Sequence, residues 1–86
     1  MKTLTIHLRD TWPEANEFSV SGNVRAITFE SIKRVINNNL QSINRWLAFG
    51  WAIFDVTDDE TGEIIAHGDY EYNAFSGRGN YNLKMF

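Results

Sequence analysis

Asp55, Asp58, Asp59, Glu60, Glu63, Asp69 and Glu71 crowd one part of the chain, and carboxylates at that density suit three kinds of chemistry. They can hold a cation, move a proton, or imitate the charge of a phosphate backbone. A calcium loop needs oxygen ligands at fixed spacing around a central glycine, but counted from Asp55 the glycine, Gly62, comes two residues too late. Acid–base catalysis needs a carboxyl buried deeply enough to raise its pKa, and these acids lie in or beside a turn. Charge imitation is the use that remains, beside the plain alternative of a solvated hairpin turn whose acids keep the loop wet.

Other chemistry is poorly served. His7 and His67 fall on separate segments with no cysteine anywhere in the chain, so the ligand set of a zinc site is missing and both are expected on a polar face. Without cysteine there is also no disulfide framework and no thiolate nucleophile, which suits a reducing compartment. Neither a nucleophile elbow, a Walker loop nor a dinucleotide fingerprint occurs, and Ser76-Gly77-Arg78-Gly79 lacks the glycine placement that cradles phosphate. The expectation is a protein that is not an enzyme and uses no cofactor or metal.

Charge is unevenly shared. Residues 1–50 carry six basic and four acidic side chains, net +2, while residues 51–86 carry two and seven, net −5, which together make the formal −3. Lys33, Arg34, Arg45 and Arg78, with Tyr70, Tyr72 or Phe75 to stack on bases, would be the parts of a nucleic-acid-binding regulator. A pI near 5.2 argues against that use, because such domains are usually strongly basic on one face. Among the aromatics, Trp12 precedes the only proline and Phe75 sits in a glycine-bearing loop, so both are candidates for an exposed contact patch. Trp46 and Trp51 flank a helix end and are expected in the core.

These residues must be positioned by a small α+β domain spanning 1–86. Phe29, Ile32, Ile36, Leu40, Ile43 and Leu47 recur every three or four residues, which predicts one amphipathic helix over about 28–49. Thr28 is its N-cap, with Glu30 in the first turn, and Gly50 is the expected left-handed stop. Leu4, Ile6 and Leu8 alternate with polar residues as a strand, and Phe18, Val20, Val24 and Ala26 make a second, bent near Gly22 and antiparallel to the first. Trp51–Val56 is a compact apolar strand, Thr57–Gly62 a polar turn, and Glu63–Tyr72 a strand with Ile64, Ala66, Gly68, Tyr70 and Tyr72 on one face. Asn73–Asn80 reads as a loop before a terminal strand containing Tyr81, Leu83 and Met85. The order ββαβββ predicts an antiparallel sheet of four to five strands covering one face of the helix. No secretory h-region and no long apolar run occur, so a cytoplasmic protein outside the membrane is expected.

In size, charge and architecture the chain resembles the small, acidic, cysteine-free proteins with which phages and mobile elements inhibit host defence or nucleic-acid machinery, anti-CRISPR proteins among them. The resemblance implies a protein partner, such as a basic nucleic-acid-binding host protein, and transfers no individual residue. The sequence-level expectation is therefore a non-enzymatic binding module that docks through Asp58, Asp59, Glu60, Glu63, Asp69 and Glu71, with Trp12 and Phe75 nearby. A homodimer built by sheet-edge pairing is the further arrangement left open.

Overall fold

Alternating apolar residues need a cover for one face only, and the fold supplies it with a helical layer on one side of a single antiparallel sheet. The computed structural model describes residues 1–10, 16–48 and 50–86. Strands β1 (Lys2–Asp10), β2 (Glu17–Val24), β3 (Gly50–Asp58), β4 (Glu63–Asn73) and β5 (Arg78–Met85) form a sheet of order β2-β1-β3-β4-β5. Every neighbouring pair is antiparallel. Helices α1 (Phe29–Asn38) and α2 (Leu40–Leu47) connect β2 to β3. Leu4, Ile6 and Leu8 of β1 meet Val20 of β2, Phe54 and Val56 of β3, Ala66 and Tyr70 of β4, and the helical stripe Ile32, Val35, Ile36, Ile43 and Leu47 in one core. No helix among the described residues is long and apolar enough to cross a membrane.

The single predicted helix is two. Its start is as expected: Thr28 Oγ1 accepts the Ser31 amide at 3.1 Å and Ser31 Oγ accepts the Thr28 amide at 2.8 Å, a reciprocal cap. The break falls at Asn39, whose side-chain amide donates to the Val35 carbonyl at 2.7 Å and whose backbone sits at φ −116° and ψ 13°. A short polar side chain that captures a carbonyl one turn back competes with the helical ladder, which is why the joint forms at an asparagine. The second half ends on Ala48 at φ 61°, its amide donating to the Asn44 carbonyl at 2.9 Å, so alanine and not Gly50 makes the stop; Gly50 already belongs to β3.

Three strand details also differ from expectation. β2 runs in continuous register with β1 and does not bulge at Gly22; the glycine is there because a Cβ would come within 2.7 Å of Val35 in α1. The irregularity lies instead in β4, between the Val56–Ala66 and Thr57–Ile64 pairs, and it moves Ile65 toward the core and turns Ile64 outward, the reverse of a strict alternation. Finally, Asn73 pairs with Arg78, so the expected loop over 73–80 shrinks to the turn 74–77 and β5 begins early.

Two hydroxyl–amide contacts tie the layers together. Tyr70 on β4 donates to Asn44 Oδ1 of α2 at 2.5 Å, and Tyr81, its stacked cross-strand neighbour on β5, donates to Asn37 Oδ1 of α1 at 2.8 Å. Burial, with smaller contributions from Tyr72 and Tyr81, pushes the Tyr70 pKa from 10.0 up to about 12. Burial also raises that of Tyr81; its bond to Asn37 opposes the shift and Glu30 adds to it. Gly79 lets these groups approach, because a Cβ there would collide with the Tyr70 hydroxyl.

Candidate protein-binding face

Side chains of successive strand residues point to opposite faces, so among the described residues one helical layer leaves every second residue of the sheet uncovered. The register aligns those residues in rows. One runs Glu17, Arg9, Ile53, Asp69 and Asn82 across the five strands, and the next runs Ser19, His7, Asp55, His67 and Lys84. Trp51 lies one position beyond Ile53 on the same face and pairs with Glu71. Trp51 is 54% exposed and Ile53 36%, so the central strand presents an apolar pair framed by Arg9, Asp69 and Glu71. Shallow depressions adjoin it, one of about 300 Å³ beside Trp51 against Glu71 and Asn73, another of about 180 Å³ beside Ile53 between Arg9, Glu17 and Asp55.

The polar members of this face are held in part by one another. Asn82 donates to Asp69 Oδ1 at 2.9 Å, and Ser19 Oγ lies 3.3 Å from His7 Nδ1. Thr3 donates to Asn23 at 2.8 Å, and Thr5 donates to Asp59 Oδ2 at 2.7 Å. His67 stacks on Phe86 with ring centroids 4.5 Å apart. His7 and His67 flank Asp55 in register, and both sit on the polar face; among the described residues no group of three or more acidic or histidine side chains converges on one point.

The predicted acidic patch divides in two. Asp69 and Glu71 stand on the uncovered face beside Ile53 and Trp51. Asp58, Asp59, Glu60 and Glu63 gather at the β3–β4 turn, at the far end of β4 from Phe75. Asp58 departs most from the expected outward placement: it is 8% exposed, points to the helix side, accepts the Glu60 amide at 3.0 Å and lies 3.9 Å from Lys2 Nζ. Its carboxylate thus closes its own turn and faces a lysine. Glu60 shares that lysine at 3.6 Å, and Glu63 pairs with Asp58 in register. Phe75, 94% exposed, occupies the β4–β5 turn, about the length of an eleven-residue strand, roughly 35 Å, from the acidic turn. Trp12 lies outside the described residues.

The cations are likewise dispersed. Lys33 lies over the Phe29 ring at 5.5 Å on α1, and Arg34 on the same helix borders a depression with Gly22 and Asn38. Arg78 is on the opposite side of the sheet, at the start of β5. Tyr70 is buried and so offers no ring face to a base, and Tyr72 is half-buried against the core.

Trp51, expected in the core, is the residue that sequence reading misplaced most. The signal was parity: Trp51 and Ile53 share theirs with Asp55 and Thr57, whereas Ala52, Phe54 and Val56 form the buried series. Trp46 does pack inward, stacked on Phe18 at 5.5 Å. Comparison with protein-family models, with curated proteins and with solved structures gives no match.

Proposed function

We propose that this chain is a non-enzymatic module that binds another protein through the uncovered face of its sheet, with Trp51 and Ile53 as the anchors. The observation that carries the reading is the exposed Trp51–Ile53 pair on the central strand, framed by charged residues instead of capped by a helix. An aromatic anchor inside a polar rim is the usual anatomy of a protein contact. Asp69 and Glu71 beside the pair favour a partner with a basic surface, since complementary charge raises the association rate. The narrower reading, an inhibitor that occupies the basic nucleic-acid groove of a host protein, draws on the same two carboxylates together with Asp55. It does not use Asp58.

The test is affinity capture from the native host with wild-type protein, Trp51→Ala, and the double charge reversal Asp69→Lys with Glu71→Lys, followed by mass spectrometry and titration with the partner recovered. Trp51→Ala is expected to weaken binding at least about 30-fold, the ~2 kcal/mol that defines a hot spot. The charge reversal slows association and flattens its salt dependence. A partner retained undiminished by both variants would refute the assignment. Competition by duplex DNA or RNA for that partner supports the inhibitor reading, and its absence removes it.

A further inference from the structure

A strand at the edge of a sheet leaves half of its backbone groups without a ladder, and the register says which half. Phe86 donates its amide to the Ile65 carbonyl at 3.1 Å, and the Asn82 carbonyl occupies the place that a Cβ on Gly68 would take. Both point from β5 toward β4. Because N–H and C=O directions alternate along an antiparallel strand, the backbones of Arg78, Asn80, Asn82 and Lys84 also face β4, while those of Gly79, Tyr81, Leu83 and Met85 face away from the sheet.

The β5 edge is long and regular, and its charges sit on one face only. It is eight residues long, with no proline and no bulge of its own, and its two charged side chains, Arg78 and Lys84, lie on the uncovered face. The opposite edge, β2, already has Val20 and Val24 buried beneath α1, so little apolar surface remains there to drive association. At β5, Tyr81 and Leu83 are only half-buried and Met85 is 42% exposed. Of the two sheet edges, β5 is therefore the one with apolar side chains still open to burial.

We infer that β5 pairs with β5 of a second copy of this chain, antiparallel about a two-fold axis at Asn82, to give one continuous ten-stranded sheet. In that register Tyr81 opposes Leu83 and Gly79 opposes Met85, which uses every outward amide and carbonyl of those four residues in about eight backbone hydrogen bonds. On the other face Asn80 opposes Lys84, Asn82 opposes Asn82, and Arg78 reaches Phe86. Sliding by two residues one way sets Arg78 against Lys84, like charges directly opposite, and sliding the other way strands Gly79. Sliding by one residue sets half-buried side chains against exposed ones. Charge and hydrogen bonding thus select the same register. The dimer leaves Trp51 and Ile53 uncovered on each copy, so the pairing is independent of the proposed partner-binding face.

Cross-linking reads the register directly, because the chain has no cysteine. Asn82→Cys places two sulfurs across the axis in a closely spaced, non-hydrogen-bonded pair that suits a disulfide. Under mild oxidation it is expected to form a covalent dimer, while Asn80→Cys or Lys84→Cys alone does not and an equimolar mixture of those two does. By sedimentation the wild type is expected to be a dimer, and Leu83→Pro, which removes an outward amide without touching the β4 ladder, a monomer. Asn82→Lys, a surface change that sets two ammonium groups against each other on the axis, is expected to be a folded monomer too. A wild type that sediments as a monomer at about 100 µM, a concentration at which a standard-sized interface would be saturated, overturns the inference. So does a dimer that survives both Leu83→Pro and Asn82→Lys, or one that cross-links through Asn80→Cys alone.

Discussion

On the helix side of β3, Ala52, Phe54 and Val56 lie beneath α1 and α2; on the other side of the same strand Trp51, Ile53 and Asp55 meet solvent. The covered face is closely fitted: the hydroxyls of Tyr70 and Tyr81 have amide partners, and Gly22, Gly68 and Gly79 mark places where a neighbouring group comes too close for a side chain. The uncovered face has polar cross-strand contacts around an apolar pair that none of the described residues covers. On the proposed reading, stability and recognition fall to alternate residues of one strand, and changes on one face should leave the other property alone.

The largest test sets neighbours against each other. Phe54→Ala is expected to cost about 3–5 kcal/mol of stability by emptying part of the core. Trp51→Ala, on the other face, should stay within about 0.5 kcal/mol of wild type in denaturant titration, for all that it removes a larger side chain. A Trp51→Ala loss above about 2 kcal/mol would erase the contrast. Next in size, alkaline titration probes the covered face alone. The folded pKa of Tyr70 is raised above its unfolded value, so its contribution is complete below pH 10 and is lost as pH rises toward 12, on the order of 2 kcal/mol in all. Tyr70→Phe should flatten that slope. Gly79→Ala drives a methyl group into the Tyr70 hydroxyl and should cost about 1–3 kcal/mol, measured by thermal unfolding. Smallest, Ala48→Gly relieves an alanine held at positive φ and should gain about 1 kcal/mol, with no effect on either face.

Periodic features were legible in advance. The helical stripe, the Thr28 cap and the β1–β2 pairing follow from spacing that only one backbone geometry satisfies. The joint at Asn39 was hidden because it depends on which carbonyl one side chain finds, and the stripe continues through it without a change of phase. The shift at Ile65 was hidden because the apolar pair Ile64-Ile65 fits either face; only pairing with β3 decides. By type and neighbours Asp58 reads as a surface acid in a turn, while its position on β3 turns it inward toward Lys2. The outward placement of Asp69 and Glu71 follows from strand alternation, whereas that of Trp51 and Ile53 does not show in the sequence: an apolar run reads as buried on both sides until the number of covering layers is known.

The Tyr81–Asn37 bond has a bearing on how the sheet's last strand behaves in time. A terminal hairpin strand commonly frays, opening and closing faster than the domain unfolds. Here peeling it away also breaks that bond to the first helical half, so the amides of β5 that face β4 should exchange with solvent more slowly than in a strand held by its ladder alone. A strand pinned in that way resists swapping into a neighbouring molecule and keeps one shape, a rigid template instead of a loose end.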